Sequence, residues 1–219
     1  MNTREIPRFP GVLRKNDSLF LYGALQAKPF VYTYEPSKTE IVHGPSCRKR
    51  DEEIFLNHCR VDAVAIMERR GGGGTVLLAP GMVVTVVVGE REKSIPATFY
   101  FDRIHNAIIT LFEETGISGI EKCGISDLAL GGRKILGSSL YMGVHPELFY
   151  YQSSLLVDPD LSLFDQYLRH PPREPEYRRN RSHREFCTSL AEEGYVYGIN
   201  EIRTILDAEL AGLLLERMV

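Results

Sequence analysis

Two segments of the chain carry apolar residues at helical spacing. In residues 101–115 the apolar positions recur every three or four residues before Gly116, and they are Ile104, Ala107, Ile108, Leu111 and Phe112. Residues 199–218 repeat the pattern, with an apolar side formed by Ile202, Ile205, Leu206, Leu210, Leu213 and Leu214. An apolar stripe of this period buries one face of a helix, so both segments are predicted to be amphipathic helices packed on a core.

Other apolar runs are short, β-branched and bounded by turn residues, which is typical of strands. Three of them predict one strand each: residues 40–44, 63–68 and 154–158. The run TVLLAPGMVVTVVV at residues 75–88 predicts two strands joined as a hairpin at Pro80–Gly81. Residues 127–137 predict a second hairpin, because Gly131–Gly132 supplies the positive φ angles that a tight two-residue turn requires.

The order of these elements, strands with helices between and after them, favours an α+β fold. We predict a mixed, largely antiparallel sheet packed with helices on one face. Residues 50–60, with Asp51 as a cap, and residues 161–169 are predicted to add short helices, whereas residues 20–34 are ambiguous. We expect residues 1–219 to form a single domain, in which the proline-rich residues 1–18 are an N-terminal arm.

Composition excludes several classes of protein. There are 26 lysines and arginines against 29 aspartates and glutamates, a net charge of −3, which argues against a DNA-binding surface. The four cysteines lack metal-binding spacing and indicate reduced thiols, as in the cytosol. The longest apolar run, broken at Pro80–Gly81, is shorter than the roughly 20 residues that span a bilayer. We therefore expect a cytoplasmic protein with no membrane partner.

The most informative feature is a run of four glycines, Gly71–Gly74, that follows Arg69 and Arg70. Glycine lets backbone N–H groups approach an anion closely, and arginine binds phosphate or carboxylate through two parallel hydrogen bonds. The run is not a Walker A loop, which ends in Gly-Lys-Ser/Thr, nor a dinucleotide-binding loop, which a helix follows. An anion-binding loop is favoured, and a flexible turn is the alternative.

A second candidate for ligand contact is Lys134. Arg133 and Lys134 are neighbours in a predicted strand, so they project from opposite faces, and one of the two should face inward. A lysine inside a cleft is costly unless it meets an anion. The alternative is an exposed hairpin with both charges in water.

Three segments together resemble the lipoate–protein ligase A family, a branch of the biotin/lipoate ligase fold. They are residues 68–81 (ERRGGGGTVLLAPG), 127–139 (DLALGGRKILGSS) and 153–162 (SSLLVDPDLS). The resemblance implies a biotin/lipoate ligase-like catalytic domain that performs two half-reactions. Lipoate or octanoate is activated by ATP, with Mg²⁺, as an acyl-adenylate, and a lysine of a carrier protein then takes the acyl group.

The resemblance also implies roles for single residues. Lys134 would be catalytic, because it would bridge the acyl carbonyl and the α-phosphate, where negative charge develops. Phosphate or adenylate binding is expected of Arg70, Gly72, Gly73, Gly74, Asp127, Gly137 and Ser138, and Asp127 is also the expected Mg²⁺ ligand. The residues expected to line the acyl pocket are Val76, Leu78, Gln152 and Ser154. Leu78 and Gln152 stand where the family usually has histidine, so the identity of the acid stays open.

The implied partner is a lipoyl-domain carrier of the 2-oxoacid dehydrogenase E2 or glycine-cleavage H protein type. Many bacterial members carry a C-terminal accessory domain, for which 219 residues leave no room, so we expect a separate accessory subunit or a member limited to one half-reaction. Two alternatives stay open: an ATP-independent octanoyl or lipoyl transferase with Cys123 as nucleophile, and a non-catalytic binding protein. The arginine-rich residues 169–184 are either a solvated loop or an edge that docks the carrier or the nucleotide.

Overall fold

The structure is a computed structural model that describes residues 14–45, 47, 52–144 and 147–216. Its α-helices within these ranges are Asp17–Leu25 (α1), Leu56–Val61 (α2), Ala97–Glu114 (α3), Ser162–Tyr167 (α4), His183–Phe186 (α5) and Ile199–Glu216 (α6). Its strands there are Phe30–Tyr34 (β1), Glu40–His43 (β2), Ala65–Glu68 (β3), Val76–Leu78 (β4), Met82–Glu90 (β5), Ile120–Cys123 (β6), Asp127–Leu130 (β7), Arg133–Met142 (β8) and Leu148–Leu156 (β9).

The strands form two sheets. The larger has the order β1-β5-β9-β8-β7-β6, and every neighbouring pair in it is antiparallel. The smaller has the order β3-β2-β4, in which β2 is parallel to β3 and antiparallel to β4. The predicted α+β class with a mixed, largely antiparallel arrangement is therefore confirmed.

Helices cover both faces of the larger sheet, so the expectation that they share one face is wrong. On one face α3 and α6 pack against alternate residues of β5, such as Val83 and Val87. On the other face α1 packs against Val86 and Val88 of the same strand. Because β5 is buried from both sides, its sequence is a continuous apolar run rather than an alternation of apolar and polar residues.

The hairpin predicted for residues 75–88 is also wrong. The chain does turn at Pro80–Gly81, where Gly81 has φ +84°, but β4 pairs with β2 and β5 pairs with β1 and β9. The two strands thus lie in different sheets. A Cβ on Gly81 would stand 2.4 Å from the carbonyl oxygen of Asp158, so this corner packs too tightly on the end of β9 for a larger residue.

Several remaining predictions are confirmed, although the strand predicted for residues 154–158 is the end of the longer β9, Leu148–Leu156. The hairpin of β7 and β8 is confirmed, with φ +57° at Gly131 and +72° at Gly132, and so are the long helices α3 and α6. The helix predicted for residues 50–60 begins only at Leu56, and its proposed cap, Asp51, lies outside the described residues. Among the helices of the described ranges, none is both long and apolar enough to cross a membrane.

Candidate functional site

A cleft of about 260 Å³ opens between the two sheets, with the glycine loop on one side and the start of β8 on another. It brings together ten of the residues that the sequence singles out: Gly73, Gly74, Val76, Leu78, Asp127, Lys134, Gly137, Ser138, Gln152 and Ser154. Arg70 and Gly72 do not line it. The structure therefore gathers most of the predicted site from four separate stretches of chain.

The lining of the cleft has a distinct apolar part and a strongly basic character. Val42, Leu78 and Val84 form a small buried cluster between the sheets, and Val76 packs against it. The ionised side chains of the lining comprise one carboxylate, Asp127, and five cations, Lys15, Arg69, Lys134, Arg173 and Arg178. Such a lining suits a ligand that combines an apolar chain with an anionic group.

Lys134 projects into this cleft and lies over Gly137, three residues along the same strand. Its Nζ is 2.8 Å from Oδ1 of Asp127, and its side chain is 25% exposed. A Cβ built on Gly137 would stand 2.6 Å from Nζ, so glycine at this position is what allows the lysine to lie flat across the strand. Its neighbour Arg133 points away from the cleft and pairs with Glu193 at 2.6 Å, as the alternation of a strand predicts.

Asp127, the predicted Mg²⁺ ligand, is contacted by protein groups on two sides. Oδ1 pairs with Lys134, and Oδ2 accepts a hydrogen bond of 2.8 Å from the hydroxyl of Tyr177. Burial, and after it the charge of Asp127, raises the pKa of Tyr177, so the tyrosine stays a donor. Both carboxylate oxygens are thus engaged by protein donors, and the role of Asp127 as a Mg²⁺ ligand stays a prediction.

Arg70 does not face the cleft, because it forms an ion pair with Asp17 at the start of α1. Arg70 Nε lies 2.7 Å from Oδ1 and Nη2 lies 2.8 Å from Oδ2 of a fully buried carboxylate. The predicted N-terminal arm thus ends in a packed helix start, and its residues 1–13 lie outside the described residues. The predicted contact between Arg70 and a ligand has no support in this arrangement.

Arg69, which the sequence did not single out from its neighbour, is the arginine that shapes the glycine loop. It is 5% exposed and donates to the carbonyl oxygens of Val42, Gly72 and Gly74 at 2.8–3.1 Å. Burial lowers its pKa to about 10, which still leaves it charged at neutral pH. Arg69 therefore fixes the glycine loop, whose carbonyl oxygens at Gly72 and Gly74 point toward its guanidinium group.

The glycines of the loop differ in whether a larger residue would fit in their place. Gly73 has φ +96°, and Gly71 packs so closely on β8 that a Cβ would lie 2.7 Å from Oγ and 2.9 Å from Cβ of Ser139. A Cβ on Gly72 would meet no heavy atom within 4 Å. The loop thus contains one position where a methyl group is accommodated and one where it is excluded by packing alone.

We expect Gly71→Ala to lower the free energy of unfolding by about 1–3 kcal/mol, because the added methyl group overpacks against Ser139. Gly72→Ala is the matched control, and its change should stay within about 0.5 kcal/mol. Urea denaturation of both variants measures the difference. Equal losses in the two would contradict the packing of the loop on β8.

A buried histidine supports the site from behind the sheet. His105 of α3 is 1% exposed, and its Nε2 lies 3.1 Å from Oγ of Ser138, which itself donates to the carbonyl oxygen of Ser126. Burial lowers the pKa of His105 from 6.5 to about 4. The imidazole is therefore neutral at physiological pH and fixes the hydroxyl of Ser138.

The depressed pKa of His105 predicts a loss of stability in acid. Between pH 6.5 and 4 the unfolded chain binds a proton at this residue and the folded chain does not, so stability falls as the pH falls through that window. Between pH 7 and pH 5 this histidine should account for about 2 kcal/mol of the loss. His105→Gln keeps a partner for Ser138 and should remove that share in urea melts, whereas an unchanged pH dependence would contradict the prediction.

Comparison with known proteins identifies a family. The family model of the lipoyl protein ligase A/B catalytic domain matches residues 18–211. The chain belongs to this family. The matched region contains every residue that lines the cleft between the sheets except Lys15.

Relatives within the family are distant. Lipoate–protein ligase 2 of Staphylococcus aureus is 27% identical over 124 residues, which is 56% of this chain and 35% of that protein. A bi-partite lipoate protein ligase from Thermoplasma acidophilum is similar in structure, with a TM-score of 0.73 at 21% identity over 86% of this chain and 72% of that one. A lipoate-protein ligase A bound with ATP has a TM-score of 0.72 at 21% identity over 86% and 74%. At these identities the solved structures show a shared fold.

The cysteines of this family member are poorly suited to act as nucleophiles. Burial raises the pKa of all four thiols, and that of Cys187 reaches about 11. Cys123, the candidate nucleophile, lies at the end of β6 outside the cleft lining, and the charges of Glu121 and Asp127 raise its pKa further. A thiolate is the reactive form, so these surroundings disfavour thioester chemistry.

Three polar side chains that the sequence did not single out converge on Thr75, at the end of the glycine loop. Glu53 accepts hydrogen bonds from the N–H of Thr75 at 3.0 Å and from its hydroxyl, and His43 Nδ1 lies 2.7 Å from the same hydroxyl. Cys47 donates to Glu53 at 3.3 Å. In the described residues, the potential ligand atoms of His43, Cys47 and Glu53 lie within 4.8 Å of one another. The cluster anchors the loop.

Proposed function

We propose that the chain is a lipoate–protein ligase-like enzyme that activates lipoate, or a related medium-chain acid such as octanoate, with ATP. A carboxylate oxygen of the acid attacks the α-phosphorus of ATP, an acyl-adenylate forms and pyrophosphate leaves. The amine of a carrier lysine then attacks the acyl carbonyl, and AMP leaves. These steps need positioning and charge stabilisation rather than covalent help from the protein.

The observation that carries this proposal is the placement of Lys134 in a basic cleft that also has an apolar wall. The ammonium group reaches the cleft beside the glycine loop, where the backbone of Gly73 and Gly74 is open to a ligand. The valine and leucine cluster offers a surface for an acyl chain, and Gln152 and Ser154 add polar groups to the floor. The ATP bound by a structural relative is consistent with a nucleotide in the same region.

Acid-dependent exchange between ATP and labelled pyrophosphate tests the first half-reaction. We expect exchange with lipoate or octanoate and much less with biotin, since the apolar wall formed by Val42, Leu78 and Val84 suits a plain chain. A reaction without acid is the control. Absence of exchange with every acid, in a chain that is folded, would contradict an adenylating enzyme and favour the non-catalytic alternative.

The carrier is proposed to be a lipoyl domain of the E2 or H protein type. The structural relative from Thermoplasma acidophilum was solved as a bi-partite ligase with its E2 lipoyl domain, which supports both this partner and a separate accessory subunit. Transfer is measured as the mass increase of a purified lipoyl domain. Exchange without transfer would indicate that a second polypeptide is required, whereas transfer from an acyl-carrier thioester without ATP would favour the transferase alternative.

A further inference from the structure

The segment from Pro171 to Phe186 places a buried guanidinium in the wall of the cleft. Arg178, in a short 3-10 helix over Glu176–Arg178, is 4% exposed and lines the cleft. Its Nε donates to the carbonyl oxygen of Arg181 at 3.0 Å and lies 3.4 Å from Oε2 of Glu174. Its guanidinium carbon lies 4.8 Å from the centre of the Phe186 ring. The side chain is therefore held in one orientation by packing.

One nitrogen of this guanidinium is left for a ligand. Among the described residues, buried Nη2 of Arg178 has no hydrogen-bond partner. A buried N–H group without a partner is costly, more so on a charged group, so natural structures rarely keep one unless something else binds it. The only carboxylate of the cleft lining, Asp127, is already engaged by Lys134 and Tyr177. We therefore infer that a ligand supplies the acceptor for Nη2 of Arg178.

The charges of Arg178 and Lys134 influence the same two titratable side chains, Cys187 and His183. Both positive charges oppose the effect of burial on the thiol of Cys187, and both help to depress the pKa of His183, which lies at about 4. The neutral imidazole adds no charge at physiological pH. Arg178 and Lys134 both line the cleft, although they come from different elements. Two cations suit an anion with several oxygens, and guanidinium binds phosphate oxygens in a paired geometry.

We propose that Arg178 binds phosphate oxygens of the nucleotide in the cleft that Lys134 also lines, and takes the part that the sequence assigned to Arg70. The assignment rests on the proposed function. It goes further by making the arginine-rich segment part of the nucleotide site, while Arg70 is committed to Asp17. The affinity for ATP, and not the affinity for the acid, is then expected to depend on residue 178.

The test compares Arg178→Gln and Arg178→Lys with Arg179→Gln. Arg179 is the adjacent, exposed arginine, so its substitution removes the same charge from the same segment without touching the cleft. Dissociation constants for ATP are measured by titration calorimetry, and KM values for ATP and for the acid are measured by pyrophosphate exchange. Arg178→Gln should raise the Kd and KM for ATP about 10- to 100-fold and leave the KM for the acid within about twofold. Arg178→Lys should lie between it and the wild type, and Arg179→Gln should match the wild type.

Two results would overturn the assignment. One is ATP binding that both Arg178 variants leave unchanged. The other is an equal increase of the KM values for ATP and acid, which would indicate a merely structural role. If Arg178→Gln fails to fold, Arg178→Lys decides, because it keeps the positive charge and loses the paired geometry. A wild-type chain that binds no ATP would overturn the proposed function and this assignment together, whereas ATP binding indifferent to Arg178 would overturn this assignment alone.

Discussion

Replacing Lys134 by alanine is expected to slow acid-dependent ATP–pyrophosphate exchange about a thousandfold while the chain stays folded. The side chain is one-quarter exposed and belongs to none of the buried apolar clusters, so its loss leaves the core intact. In the proposed reaction, the variant loses the positive charge at the place where negative charge develops between the acid and the α-phosphate. Exchange rates, with circular dichroism as a check on folding, measure the effect.

Two further variants make this prediction specific. Arg133→Ala removes the neighbouring charge on the outer face of β8, where its partners are Glu192 and Glu193, and should change the rate less than about twofold. Gly137→Ala keeps Lys134 but pushes its Nζ aside, and should slow exchange by about 10- to 100-fold. A Lys134→Ala variant with near wild-type exchange would remove this lysine from the reaction.

Asp17→Ala is expected to cause the largest loss of stability, about 3–5 kcal/mol, because it leaves the Arg70 guanidinium buried without its carboxylate. Asp102→Ala is a suitable control, because it breaks an ion pair with Lys122 in which both side chains are exposed, and it should cost less than about 1 kcal/mol. Urea denaturation of the two variants compares a buried with an exposed ion pair. Similar small losses would show that Asp17 is not a buried anchor of α1.

The sequence predicted the elements with a strong local signal. The amphipathic stripe of α3, the Gly131–Gly132 turn and the position of Lys134 on the strand after it all depend on residues close together in the chain. The presence of a glycine loop at Gly71–Gly74 was likewise evident from adjacent residues. Local periodicity and turn chemistry were sufficient for these, and the three quoted motifs were sufficient for the family.

What the sequence could not supply was the pairing of distant segments. The run at residues 75–88 has the pattern of a hairpin. Only the tertiary structure shows that β4 and β5 pair with other strands, in two different sheets. The sequence gives no reason to assign Arg69 and Arg70 different roles. In the structure Arg69 donates to carbonyl groups of the loop, whereas Arg70 binds Asp17, 53 residues earlier. The roles of Tyr177 and Arg178 likewise depend on the segment folding back over β7 and β8.

The placement of β4 and β5 in different sheets also affects how the protein unfolds. The corner between them is tied to the end of β9, because the carbonyl oxygen of Gly81 accepts hydrogen bonds from the N–H groups of Val157 and Asp158. One continuous stretch of chain therefore belongs to both sheets. Unfolding of one sheet is expected to disturb the other through this shared segment. We therefore expect the two walls of the cleft to unfold as one cooperative unit, so that a ligand bound in the cleft would slow amide hydrogen exchange in both sheets.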